Sequence, residues 1–202
     1  SQFIQVQRGL GASALGISSV GGTMNMVTKS TEAQKGGSAY FGIGNDGFRK
    51  YSVSFSTGLM DNGWAITFMG ALNTGDGYVK GTNYEGWTYF GNISKVINDH
   101  HKLSLTAFGA PQWHNQRSTM HYIEDYKNSP DGGRFNNGYG YINGEAVGSG
   151  YGYNYYHKPQ VSLNHYWTID DKSTLTTSLY GSMATGGGRR ARGAVSTWLT
   201  IG

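Results

Sequence analysis

From residue 51 the chain alternates. Tyr51, Val53, Phe55, Thr57 and Leu59 fall on one face of an extended segment, and Ser52, Ser54, Ser56 and Gly58 on the other. A period of two is the mark of a β-strand, whose successive side chains point to opposite faces. The alternation recurs at Ala39, Phe41 and Ile43; at Trp64, Ile66 and Phe68; at Leu103 and Leu105; at Val161, Leu163, Trp167 and Ile169; and at Leu175 and Leu179. Residues 86–97 alternate less cleanly, with Trp87, Tyr89 and Ile93 on one face and Phe90 and Val96 on the other. The pattern predicts an all-β fold with seven strands after residue 36.

The two faces are unusual for a sheet in water. The polar one carries Ser, Thr and Gly where Lys, Glu and Arg would be expected, which suits a wet lumen, and the apolar one then suits lipid. Each segment is close to the roughly 9–11 residues that cross a bilayer obliquely. The connections alternate as well: tight turns are predicted at Met60–Gly63, Asn98–His101 and Asp170–Ser173, and longer loops at 45–49, 74–86 and 111–157. Short turns on one side and long loops on the other characterise outer-membrane barrels. A soluble β-sandwich shares the hairpins but lacks this regular asymmetry. Trp64, Trp87, Tyr89 and Trp167 fall near predicted strand ends, where an aromatic girdle places rings with polar tips. The expected fold is a transmembrane antiparallel β-barrel.

Seven strands do not close such a barrel, since the single-chain bacterial forms have even numbers from about 8 upward. An open edge in lipid leaves unpaired backbone groups, each costing several kcal/mol. The 202 residues are therefore expected to be part of a longer polypeptide. Ser1–Val6 shows neither the basic start nor the apolar core of a signal peptide, which is expected upstream or removed.

Composition sharpens this picture. Charged residues make up 14% of the chain, against roughly 25% in an ordinary soluble domain, while aromatics reach 14% and glycine supplies 33 positions. There is no Gly-X-Y period for collagen, and the aromatic content argues against disorder. No stretch approaches the roughly 20 apolar residues of a membrane helix. With no cysteine there is no disulfide framework, thiolate metal site or Cys nucleophile. The mean hydropathy is negative, which a barrel tolerates because it hides its apolar residues at alternate positions.

Residues 4–29 read IQVQRGLGASALGISSVGGTMNMVTK. This segment resembles the C-terminal end of the plug domain of TonB-dependent outer-membrane receptors: a strand ending in Arg-Gly, a Ser/Ala-rich helical turn, Gly-Gly, an alternating strand and Thr-Lys. Leu10 stands where the family commonly has Pro, and Gly16 where it has an aromatic; both positions fall in turns or loops of tolerant geometry. The resemblance implies a plug filling a barrel of about 22 strands. It divides the chain into the end of a plug (1–29), a linker (30–36) and the first part of a transmembrane barrel (37–202). It implies a plug latch at Arg8 and Gly9, because the family's matching arginine faces the barrel wall and pairs with acidic groups there. Gly9, Gly11, Gly21 and Gly22 suit tight turns inside a lumen, and Met24, Met26 and Val27 supply apolar packing. The implied partners are TonB, reached through an upstream segment absent from this sequence, outer-membrane lipid and lipopolysaccharide, a nutrient ligand and a surface lipoprotein. The implied location is the bacterial outer membrane. Residues Asn154–Gln160 are similar to receptors of Bacteroidetes-type bacteria.

Other motifs carry less. Gly42–Gly47 is literally G-x-G-x-x-G, but a strand follows where phosphate cradling needs a helix N-terminus, so a hairpin turn is expected. Asn92-Ile93-Ser94 matches a glycosylation sequon inside a predicted strand. The six histidines form no helical i, i+4 pair; they are expected to face solvent or lumen, and no metal is expected. No serine sits in a nucleophile elbow, so no enzyme activity and no cofactor are expected. The basic run Gly186–Gly193 is expected on the outer side, contacting lipopolysaccharide phosphates or an anionic ligand rather than nucleic acid.

The most informative segment is 111–157, which interleaves Trp113 and many tyrosines with Asn, Gln and Gly. Aromatic rings with polar tips stack on sugars, peptides or chelators while donating hydrogen bonds. A loop of this length is usually functional, although its tyrosines equally suit packing against neighbouring loops. Trp113, His114, Gln116, Arg117, Tyr122 and Arg134 are the candidate ligand contacts. The resemblance implies import of a nutrient by energised plug movement, with glycan, peptide and metal chelate such as siderophore, haem or cobalamin all open. The Tyr/Trp/Asn content suits a neutral ligand, and the arginines an anionic chelate. A non-transporting outer-membrane assembly or surface-binding component, and a barrel-embedded hydrolase, are the alternatives.

Overall fold

The computed structural model describes residues 3–8, 22–27, 31, 33–117, 120–142, 145–147 and 152–189. In chain order, β1 (Phe3–Arg8) pairs antiparallel with β2 (Gly22–Val27), Arg8 opposite Gly22. Five long strands follow: β3 (Gly36–Ile43), β4 (Arg49–Leu59), β5 (Trp64–Gly75), β6 (Tyr84–Val96) and β7 (His101–Gly109). Next come β8 (Gln112–His114), the helix α1 (Ile123–Asn128), a 3-10 turn (Gly132–Arg134), β9 (Gly140–Ile142), β10 (Glu145–Val147) and β11 (Asn154–His157). The chain continues through β12 (Gln160–Asp170), β13 (Ser173–Ser182) and β14 (Thr185–Gly188).

The fold is all-β. The long strands pair in the order β13-β12-β7-β6-β5-β4-β3, every neighbour antiparallel, and all seven segments with a period of two lie within them. β12 lies beside β7 despite the long segment between them, so the sheet is an uninterrupted meander. The segment 111–157 is not one loop: β8, α1, β9, β10 and β11 form within it, and β8 pairs with both β6 and β11. These elements are too short to show a period in the sequence. Part of the run 186–193 is likewise a strand, β14, paired with β11; three consecutive glycines leave no side chains to alternate.

The tight turns are held by side chains that mimic backbone. Asn98 Oδ1 accepts the N–H groups of His100 and His101 at 2.9 Å, and Asp170 Oδ1 accepts that of Lys172 at 2.8 Å. Gly63 turns at φ +79°. At the other end, Asp46 (φ +55°) and Gly47 (φ +70°) make the hairpin between β3 and β4, where the G-x-G-x-x-G string lies.

Burial runs opposite to that of a soluble sheet. Register places Phe41, Val53, Phe55, Phe68, Ile66, Ile93, Leu105, Leu163 and Leu179 on one face. That apolar face is open, with Phe55 53% exposed. The opposite, polar face holds the buried groups: Ser56, Asn92, Ser94, Ser104 and Thr106, with Ser94 1% exposed. Among the described residues Ala65 is the one buried hydrophobic side chain. Four of the polar groups satisfy one another across β6 and β7. Asn92 Nδ2 donates to Ser104 Oγ (2.9 Å) and Thr106 Oγ1 (2.8 Å), and Ser94 Oγ donates to Asn92 Oδ1 (2.8 Å). Closing these bonds is what lets such groups be buried at all. Trp64, Trp87, Tyr89 and Trp167 lie on the apolar face, two toward each end of the strands.

Candidate functional site

The hairpins β3–β4, β5–β6 and β7–β12 all open at one end of the sheet, so the connections 44–48, 76–83 and 110–159 converge there. Arg134 ties all three. Its guanidinium meets the Asp46 carboxylate at 2.6 Å, lies 4.7 Å from the Tyr78 ring and donates to Tyr78 O at 3.2 Å. Lys80 pairs with Asp131 at 2.6 Å, Asn136 Nδ2 donates to Lys80 O at 2.7 Å, and Asn115 Nδ2 donates to Asn83 Oδ1 at 2.7 Å. Around α1, Arg117 donates to Phe135 O (2.8 Å) and covers the Tyr126 ring (5.2 Å), while His121 packs edge-on against Tyr126 and Phe135.

Two clefts open beside this knot, on opposite faces of the sheet. The larger, about 450 Å³, lies at the loop end of the polar face. Register builds its floor as two rows across β5, β6 and β8: Asn73, Gly86 and Gln112, then Gly75, Tyr84 and His114. Thr82 and Asn115 close its rim. The Tyr84 ring lies over Gly75, filling the space where a Cβ would stand. Among the described residues, the side chains of Asn73, Tyr84, Gln112 and His114 have no hydrogen-bond partner, so their polar tips are available to the cleft.

The second cleft, about 190 Å³, lies on the apolar face among Trp87, Trp113, Tyr153, Tyr155 and His157. Trp113 stacks on Tyr153 at 6.1 Å between centroids, Tyr153 meets Tyr155 at 6.0 Å, and Arg189 covers Tyr153 at 5.4 Å. Tyr89 Oη is 3.0 Å from His157 Nε2, and Trp87 Nε1 donates to Glu85 Oε1 at 2.8 Å.

The candidate contacts chosen from sequence separate in space. Trp113 borders both clefts, and His114 lines the larger one. As neighbours on β8 they point to opposite faces, Trp113 opposite Glu85 and His114 opposite Tyr84. Gln116 is exposed and is held by its backbone N–H on Gly152 O at 3.2 Å. Tyr122 caps α1 and is 84% exposed. Arg117 and Arg134 hold the loops together. Arg8 ends β1, and its latch partner Gly9 lies outside the described residues, as do Arg190 and Arg192.

Sequence reasoning missed Asn73, Tyr84 and Gln112. The signal for Gln112 was its spacing of two from His114, which counts only once β8 is recognised as a strand. It also expected every histidine to face solvent or lumen. The His121 side chain instead is buried, 7% exposed, against Tyr126 and Phe135, while His101 and His165 lie half-exposed on the apolar face at the tight-turn end, Nδ1 to Nε2 at 3.0 Å, with Trp167 stacked on His101 at 5.6 Å. Their register, opposite Trp167 and Leu103 respectively, puts them there. No protein-family model matches the chain, and no curated protein sequence matches it.

Proposed function

We propose that this chain is part of a TonB-dependent outer-membrane transporter, with β3–β7, β12 and β13 as consecutive strands of its barrel and residues 1–29 as the end of its plug. The inverted burial of the sheet carries this reading. A face on which Phe41, Val53, Phe55, Phe68, Leu105 and Leu163 stand side by side across the sheet, each 41–59% exposed, is a contiguous apolar surface that a soluble monomer rarely leaves uncovered. Facing lipid, the same surface stabilises the fold, and the opposite row of Ser, Thr and Asn faces a wet interior. The edge strands β3 and β13 then pair with further strands, as backbone in hydrocarbon requires. The tied loops stand at the cell exterior and bind a nutrient, and the energised inner-membrane partner moves the plug. TonB, lipopolysaccharide and a surface lipoprotein are the partners in this scheme.

The test uses the full polypeptide in its native cell. It should sediment with the outer membrane and run faster on gels when unheated, as folded barrels do, and uptake of its ligand should stop when the energising complex is deleted. Recovery in the soluble fraction overturns the proposal.

A further inference from the structure

Resting on that reading, we infer that the larger cleft takes an uncharged, polyhydroxylated ligand, a neutral saccharide, rather than an anionic metal chelate. Among the described residues no lysine or arginine lines the cleft; its one charged lining residue is Glu85, whose carboxylate accepts from Trp87 Nε1 on the other face of the sheet. The cations around it are engaged elsewhere: Arg134 with Asp46, Lys80 with Asp131, and Arg117 with Phe135 O and the Tyr126 ring. Lys50, opposite Asn73 on the same face, has its ammonium 6.0 Å from the Tyr40 ring on the far side of its strand. Arg189 belongs to the other face. An anionic chelate entering this cleft would give up water without meeting a counter-charge, which is the costly way to bury a charge.

What the cleft does offer is matched to hydroxyl groups. Asn73 and Gln112 each present a donor and an acceptor on one amide, and Tyr84 and His114 flank them in the neighbouring row. A sugar hydroxyl also donates and accepts, so a single row of amides can serve several hydroxyls of one ring. Its volume lies within the roughly 300–1,000 Å³ range of small-molecule sites. A peptide is less well served. Peptides that bind sheets add a strand to a free edge, and here β5, β6 and β8 are each paired on both sides, β8 with β6 and β11.

The test is binding to the full-length protein purified in detergent, read by calorimetry. The probes are maltohexaose, cellohexaose and mannohexaose, with ferric citrate and hexaalanine as the competing chemistries. At least one oligosaccharide should bind, with an affinity unchanged between about 0.05 M and about 0.5 M salt, because no ion pair is involved. Gln112→Leu should weaken that binding by about tenfold or more, since it leaves a ligand hydroxyl unpaired. Asn73→Leu supplies the same test should the first variant fail to fold, and Lys172→Gln, in a turn at the opposite end, should change nothing. Failure of all three oligosaccharides to bind, or equal binding by both cleft variants, overturns the inference. So does capture of ferric citrate or hexaalanine that either cleft variant abolishes. An outer-membrane protein that binds the chelate keeps the transporter reading and loses this one; a soluble protein that binds the saccharide does the reverse.

Discussion

The polar face of the sheet contains two groups of side chains that look alike in the sequence and behave differently. At mid-sheet, Asn92, Ser94, Ser104 and Thr106 are buried and spend their hydrogen bonds on one another. At the loop end, Asn73, Gln112, Tyr84 and His114 occupy the same face of adjoining strands, and among the described residues their side chains have no partner. The difference lies in neighbours. Asn92 stands opposite Thr106, with Ser94 and Ser104 in the adjoining row, and the four close a circuit. Asn73 and Gln112 both stand opposite Gly86, which has no side chain to offer. Polar content alone therefore does not separate the two groups; polar capacity left unspent does. The arginines teach the same lesson from the other side, since Arg117 and Arg134 drew attention by their charge and are committed to holding loops.

The strongest challenge to this comparison is Ser94→Leu. Two added heavy atoms at a position 1% exposed, together with an Asn92 carbonyl left without its donor, should cost about 2–5 kcal/mol. Urea unfolding of the reconstituted full-length protein should show a correspondingly lower midpoint, and an unchanged midpoint would mean the mid-sheet circuit is not structural. Gln112→Leu is the counterpart at the loop end. Its binding loss should come with a stability change within about 0.5 kcal/mol, because no internal bond is broken; a large drop in the urea midpoint would show that Gln112 belongs to the structural class after all.

Arg134→Gln should act between these extremes. The ion pair with Asp46 is partly exposed, so about 1 kcal/mol or less is expected. The change should appear locally, as faster trypsin cleavage within 111–157 without a shift in sheet unfolding. Cleavage at the wild-type rate would remove Arg134 from the knot that shapes the cleft. Gly75→Ala should be mildest. The new methyl meets the end of the Tyr84 ring, a flexible group that can swing aside. A few-fold loss of ligand binding at nearly constant stability is expected, and full retention of binding would show that Tyr84 makes no contact.

The long strands were legible because each repeats its alternation over many residues, and a period of two survives small errors in where a strand begins. Ser52, Ser54 and Ser56 opposite Tyr51, Val53 and Phe55 made the inversion of the two faces readable before any coordinates. The site was harder to read. Trp113 and His114 were chosen together as neighbours in a loop, yet three residues of strand suffice to send them to opposite faces. Asn73 and Gln112 are far apart in sequence and meet only through the register of β5, β6 and β8. Thr185–Gly188 gave no signal because its strand character rests on backbone pairing with β11. Local pattern carries what one strand does; it does not carry which residues of three strands share a row.

β7 and β12 remain side by side although residues 110–159 intervene. Closing a longer loop between two strands that already neighbour each other adds only slowly to its entropic cost. The sheet therefore places little restraint on how long that segment is or what it contains. Descendants of this sequence could replace the segment wholesale, acquiring a different appetite while keeping every strand of the meander. Diversity is expected to collect between β7 and β12, and uniformity in the serine-bearing rows beneath.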